Sequence, residues 1–428
     1  MTPARRLAGT DALMWHIEVD PILRSPIVAI ALLERAPRWP RLQEIAMAAV
    51  DAFPALRQRV EGRSWVDAPD FEVSDHVRRT RLSRPGPLRS LLDAVEPVAT
   101  APFDPARPPW EWTLFEGLEH GRAGLVFRLH HSLTDGVGGI GLAASLLFDP
   151  DGGETASRGR AVGDIRASRS PVATLLALPG EAARLCASAA RELAPAPGPL
   201  SPVMRGRGLR RSLQVLDVPM ADLRAASGAI GGSVNDIFLA AVAGAMARYH
   251  DALGSPASAL RFTMPVSLRS EADPAGGNRF APARFVMPLT GSAAERAGHA
   301  HVLSRQARAE PALALTSLVS TAIDVLTPRV AAAVVGSMFK AVDVDAVDVP
   351  GIGGRVRLAG VDVERLYAFA PPTGAALSTT LLSHGSTACI GLQADRAAVL
   401  DPPLLRDCLV AALDEVLELG PKATEGCR

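Results

Sequence analysis

The chain has 428 residues, enough for two domains of ordinary size with large buried cores. Hydrophobic residues make up 48% and charged residues 21%, a globular composition with an apolar lean. The 45 basic side chains equal the 45 acidic ones, which argues against a general nucleic-acid binder. Lys340 and Lys422 are the only lysines, an Arg bias that reads as base composition rather than function. Cys186, Cys389, Cys408 and Cys427 show no metal or C-x-x-C spacing, so reduced thiols in a cytosolic compartment are expected.

In chain order, Met1 to Asp20 lacks a continuous apolar core, so no signal peptide is expected. A helical stripe at 42–53 (Leu42, Ile45, Ala46, Ala49, Val50, Phe53) ends before Pro54. Residues 110–131 read as a hairpin: Trp110 to Phe115, a Gly121-Arg122 turn, then Gly124-Leu-Val-Phe-Arg-Leu-His130-His131. Alternation puts Leu125, Phe127, Leu129 and His131 on one face and Val126, Arg128 and His130 on the other. An imidazole on the apolar face is desolvated and stays neutral near pH 7, ready to take a proton. Asp135-Gly136 then forms a tight turn that can carry the carboxylate back towards His131. The plainer alternative is a core histidine beside an Asp helix cap; two adjacent histidines, a spaced Asp and a glycine-rich exit favour the catalytic reading.

Gly136-Val-Gly138-Gly139-Ile-Gly141 spells the dinucleotide fingerprint G-x-G-x-x-G before an expected helix at about 137–148. Six residues separate the apolar strand from its first glycine, and no acidic strand tip follows. These glycines are read instead as room for backbone packing or ligand approach, with a nicotinamide or flavin enzyme as the alternative.

Residues 149–212 are rich in Pro and Gly, with an apolar patch at 172–193, and read as an interdomain crossover. The patch either packs on its own protein or rests on a membrane. A second domain starts near Gln214. Ser233 is a candidate N-cap, with Asn235 and Asp236 in the first turn of a helix. Leu260 to Val266 alternates as a strand; Gly276-Gly277-Asn278-Arg279 turns into another at 283–289; helices cover 293–341. The stretch Ala312 to Val342 approaches the ~20 apolar residues of a membrane span. Asp324, Pro328, Arg329 and Lys340 break it, so two buried helices are expected, with surface attachment to a membrane left open. Two strands around His384-Gly385 and a helix at 403–418 close the chain. Strands and helices mix in both halves, so the class is α/β or α+β. The division is 1–150, crossover 151–212, and 213–428.

These segments together resemble the bacterial wax ester synthase/diacylglycerol acyltransferases, members of the coenzyme A-dependent acyltransferases that share His-His-x-x-x-Asp-Gly. The resemblance runs through Leu7-Ala-Gly-Thr-Asp-Ala-Leu13 with Trp15 and Glu18, Phe53 to Val60 and His76-Val-Arg-Arg79. It continues through Pro108-Pro109-Trp110-Glu-Trp112, Glu116-Gly117-Leu118, His130-His131-Ser-Leu-Thr-Asp135-Gly136, Asn235-Asp236, Pro265 to Arg269 and Gly277-Asn278-Arg279. Two positions depart from the family pattern: Pro109 stands where Leu is usual, and Asp348, in Val347-Asp348-Val349-Pro350-Gly351, stands where Asn is usual.

The resemblance implies a chloramphenicol acetyltransferase-like fold of two mixed-sheet domains with a substrate tunnel between them. It implies transfer of a long-chain acyl group from acyl-coenzyme A, as substrate and with no cofactor, to diacylglycerol or a fatty alcohol. His131 would be the general base, with His130, Asp135 and Gly136 completing the motif and Asp135 orienting the loop and fixing the ring tautomer. Asn235, Asp236 and Arg269 would support the oxyanion or the interface, and Trp110, Gly138, Gly139 and Asn278 would lie along the tunnel. The expected locale is the cytoplasm, with peripheral attachment to the inner face of the plasma membrane or a lipid droplet left open; nucleic acid is not an expected partner. Two other readings stand beside this one: a condensation-type enzyme fed by carrier-protein thioesters, and a non-catalytic lipid-binding relative.

Overall fold

The structure is a computed structural model and describes residues 5–7, 9–135, 138–141, 143, 148–150, 197–268 and 278–421. Gly136, Arg269, Gly276, Gly277, the 172–193 patch, Cys186, Cys427 and most of the crossover lie outside them.

Two mixed sheets organise the chain. The first has seven strands in the order β5 (Val77–Gly86), β6 (Trp110–Leu118), β7 (Ala123–His130), β2 (Pro26–Leu33), β14 (Val361–Phe369), β13 (Val356–Leu358) and β8 (Phe148–Pro150). The second has six: β11 (Phe280–Pro288), β10 (Ala259–Ser267), β12 (Val344–Ile352), β15 (Leu377–His384), β16 (Thr387–Asp395) and β9 (Arg211–Pro219). A small sheet joins β1 (Arg5–Arg6), β4 (Ser64–Asp67) and β3 (Gln58–Glu61).

The expected 110–131 hairpin is β6 and β7, paired antiparallel from Trp110 opposite Leu129 to Glu116 opposite Ala123. Helix α2 (Trp39–Ala52) lays Leu42, Ile45, Ala46, Ala49 and Val50 on the first core, as their spacing requires. In the second half, α5 (Val234–Ala252) follows α4 (Met220–Ala229) and is buried along almost its whole length against the sheet. Its start is a capping box: Ser233 Oγ accepts from the Asp236 N–H, and Asp236 accepts from the Ser233 N–H. Helix α6 (Ala293–Arg308) begins with the same device at Ser292 and Glu295. Helices α7 (Thr316–Asp324) and α8 (Pro328–Phe339) follow, and α9 (Pro402–Leu417) ends the fold; α1 (Gly9–His16) and α3 (Leu88–Val95) lie near the beginning.

Chain order and spatial order part company at β13 and β14. They lie in the second half of the sequence yet join the first sheet, with Val363 to Phe369 paired on β2. Strand β14 then packs directly on β16. At Gly391 any Cβ would sit 2.4 Å from the Ala368 carbonyl oxygen, so only glycine permits this approach. Gly351 is under the same constraint, because a Cβ there would run into the Ser383 backbone where the β12–β15 register shifts.

The G-x-G-x-x-G reading fails on topology. A dinucleotide site needs a parallel strand–helix–strand unit, and β7 runs antiparallel to both its neighbours. The expected helix at 137–148 is shorter: residues 138–141 and 143 are helical, and Phe148–Pro150 is already a strand.

Candidate active site

The end of β7 sends two consecutive imidazoles to opposite sides. His130 is fully buried. Its Nδ1 accepts from the Ser132 backbone N–H at 3.0 Å and lies 2.8 Å from Ser132 Oγ. Its Nε2 is 2.9 Å from Glu18 Oε1, and Trp15 and Phe103 meet its ring edge-on. Burial pushes the Glu18 carboxyl up, but the His130 ring and the Ser25 N–H outweigh that and hold it below its usual range. With Nδ1 on Ser132, Nε2 beside the Glu18 carboxylate and no exposed surface, His130 has no face open to a substrate.

His131 lies on the other side, half-buried. Its backbone N–H donates to the Ser25 carbonyl at 3.1 Å, which fixes the turn against the start of β2. Its Nδ1 is 2.7 Å from Asn278 Oδ1. The Asn278 amide has a determined orientation. Its Nδ2 donates to the His131 carbonyl at 2.7 Å and to Asp11 Oδ1 at 2.9 Å, and its backbone N–H reaches the same carboxylate oxygen at 3.0 Å. Both acceptors need the NH2 group, so Oδ1 must face the ring and His131 Nδ1 must carry the proton. The lone pair is then on Nε2, which has no hydrogen-bond partner among the described residues. Burial lowers the His131 pKa, more than Asp135 and Asn278 raise it, and keeps the ring neutral. The ring is half-buried yet strongly desolvated.

The second sheet comes up beside this ring. Phe262, Met264 and Val266 point into the second core, so Thr263, Pro265 and Ser267 face the first half. Phe280 pairs with Ser267 and shares this face, and its ring centroid lies 5.2 Å from that of His131.

Asp135 ties the halves together. Its Oδ1 accepts from Gly138 N–H at 2.7 Å, as a helix cap does, and its Oδ2 accepts from Arg279 N–H at 2.9 Å across the junction. The Gly139 N–H donates to the Asp135 carbonyl at 2.8 Å. The expectation that Asp135 fixes the ring tautomer is therefore corrected: Asn278 does so, and Asp135 orders the loop on each side. Gly138 and Gly139 belong to this capped turn, where a Cβ on Gly139 would press on Thr134 Cγ2 at 3.3 Å.

Residues 7–238 match the wax ester synthase/diacylglycerol acyltransferase catalytic domain family, and residues 276–417 match the C-terminal domain of the same family. The chain belongs to the wax ester synthase/diacylglycerol acyltransferase family. A Mycobacterium tuberculosis relative provisionally named a diacylglycerol O-acyltransferase is 35% identical, over 96% of this chain and 92% of its own. The wax ester synthase/diacylglycerol acyltransferase from Marinobacter aquaeolei VT8 has the same fold, with a TM-score of 0.64 at 22% identity over 97% of this chain and 99% of that one. A trichothecene 15-O-acetyltransferase from Fusarium sporotrichioides shares it too, with a TM-score of 0.71 at 12% identity over 98% and 96%.

Other family motif residues take structural places. Trp110 is 1% exposed, donates Nε1–H to the Leu56 carbonyl at 2.8 Å and stacks on His76, so it is core and not tunnel wall. Asn235 points its amide at Met264 Sδ, 3.4 Å away, on the face of β10 turned from His131. It supports the helix–sheet junction rather than an oxyanion. Asp236 accepts from Ser304 Oγ at 2.6 Å and contacts His301 Nδ1 at 3.0 Å besides its cap. Burial raises its pKa, but these bonds prevail and hold it below the usual carboxylate range.

Sequence reasoning missed two things. Asp11 was only part of a matching segment, and nothing in its spacing relates it to Asn278. The second is the setting of two separate carboxyls on β12. Asp345 pairs with Ser378 Oγ at 3.2 Å, and burial pushes it up to about 7. Asp348, the position that departs from the family pattern, is pushed by burial up to about 6, although its side chain has open surface.

Proposed function

We propose that this chain transfers a long-chain acyl group from acyl-coenzyme A to the hydroxyl of a lipid alcohol, a diacylglycerol or a fatty alcohol, at a lipid surface. The observation that carries the reading is the state of His131: Nδ1–H held by Asn278, and Nε2 without a hydrogen-bond partner among the described residues. A thioester is already activated, so no covalent enzyme intermediate is needed; the weak partner is the alcohol, barely ionised at neutral pH. Nε2 takes the hydroxyl proton as oxygen attacks the thioester carbonyl. The imidazolium then returns it to the departing thiolate. General-base help of this kind is worth about 10²–10⁴ in rate. Asn278 keeps the ring in one tautomer through the cycle, and Asp11 keeps Asn278 from turning over.

The family match and an acyl-transfer motif on a single chain favour this over a carrier-protein condensation enzyme. Palmitoyl-coenzyme A with diolein or hexadecanol is expected to release free thiol in step with ester. No release with any alcohol or glycerolipid would overturn the proposal, and ligand binding without turnover would favour a lipid-binding relative.

A further inference from the structure

The Ala312 to Val342 stretch, expected as two buried helices, is buried on one side only. Helix α8 turns Ala331, Ala332 and Val335 inward onto Ile17 and Leu23. Its other side carries Val330 and Val334, the turn before it carries Val325 and Leu326, and α7 adds Leu318. All five are at least 38% exposed, and Val325 reaches 75%. Of the fifteen exposed large apolar side chains among the described residues, these five fall within seventeen positions. Scattered exposed valines need no explanation, but a cluster does. Within the hairpin the exposed charge is a single basic side chain. Arg329 is exposed with no carboxylate partner among the described residues, and the hairpin's one acid, Asp324, is 2% exposed and turned inward.

The inner side is bolted to the helix that supports the site. Asp324 Oδ1 lies 2.6 Å from His16 Nδ1, its other oxygen pairs with Arg63, and Ser320 Oγ contacts Thr10 Oγ1 at 3.4 Å. His16 and Thr10 flank Asp11 on α1. At 1.5 Å per residue the twelve residues of α8 span about 18 Å, short of the ~30 Å hydrocarbon layer, so the hairpin can lie on a bilayer but not cross it.

We infer that the α7–α8 hairpin docks this protein on a phospholipid surface bearing anionic headgroups, its valine ridge in the acyl boundary and Arg329 among the phosphates. The inference rests on the acyl-transfer reading only in giving the docking a purpose: a lipid substrate reaches the site without crossing water.

Flotation of the purified full chain with phosphatidylcholine vesicles, with and without phosphatidylglycerol, tests it without turnover. The wild type is expected to float, more with phosphatidylglycerol. Val325→Glu with Val330→Glu should cut the bound fraction at least tenfold, and Arg329→Gln should lower the phosphatidylglycerol preference a few-fold. Leu400→Glu, which removes a 77% exposed leucine elsewhere, should leave both unchanged. Thiol release from a short acyl-coenzyme A with butanol should survive the double substitution, while turnover of dispersed diolein falls. Wild type that stays down with both vesicles overturns the docking, as does a double variant that floats like wild type. A dimer that the double variant dissolves would assign the ridge to a second copy and overturn it equally. Loss of the butanol reaction in the wild type would count against acyl transfer and not against docking.

Discussion

His130 and His131 are one peptide bond apart and share no chemistry. His130 has its two nitrogens against Ser132 and Glu18 and aromatic edges around its ring. His131 has one nitrogen fixed from the other half of the chain and one left open. A general base needs that asymmetry: a held proton on one side and a reachable lone pair on the other. On the proposed mechanism the paired motif divides its labour, with one ring building the corner from which the other works.

Replacing each ring is the sharpest way to break the contrast. His131→Ala should lower kcat/KM about 10²–10⁴-fold with an unchanged melting transition; steady-state kinetics beside calorimetry would show it, and an unaltered rate would remove His131 as base. Asn278→Leu should cost up to about 10²-fold in kcat, because a ring free to change tautomer presents the wrong nitrogen. Its signature should be a kcat loss with little change in KM, and Asp11→Ala should reproduce it in weaker form. His130→Ala should act on stability instead, by about 1–3 kcal/mol, leaving Glu18 without its partner. Activity per folded molecule should stay within a few-fold.

Acidity sharpens the comparison further. Burial lowers the His131 pKa, so the neutral base persists below its ordinary midpoint and the acid limb of kcat/KM should fall below pH 6.5. Asp345 has the opposite sign. Its folded carboxyl titrates near 7, so the unfolded chain gives up this proton first, and stability declines as pH rises from the ordinary carboxylate range to about 7. Asp345→Asn should therefore raise Tm at pH 8 and change it little at pH 4. The smallest effect should come from Asp348→Asn, a few-fold change in KM for one acceptor relative to another, read from paired diolein and hexadecanol assays.

Much of the first half was legible because periodicity reports local burial: the β6–β7 hairpin and α2 both follow from which residues are apolar. Alternation along β7 did not single out the His131 side as interior, because Val126, Arg128 and His130 on the other side are buried as well. The Ser233 cap was legible for a similar reason, since capping chemistry is local. Three things were not. Strands β13 and β14 cross to the first sheet, and pairing partners leave no mark on spacing. Trp110 was assigned by a motif, and a motif does not say which way an indole points. Asp11 and Asn278 are 267 positions apart, and only the closed fold makes them neighbours. The Ala312 to Val342 stretch was legible as helices, but composition alone could not tell a covered apolar face from a bare one.

The carboxylate that caps one turn and grips the opposite strand's entrance ties the proposed proton transfer to tertiary closure. Neither moiety of the polypeptide, expressed by itself, would own a competent imidazole. Chimaeras between distant members of the group should therefore work only when the short stretch around Asn278 and Arg279 travels together with the amino-terminal helix it grasps.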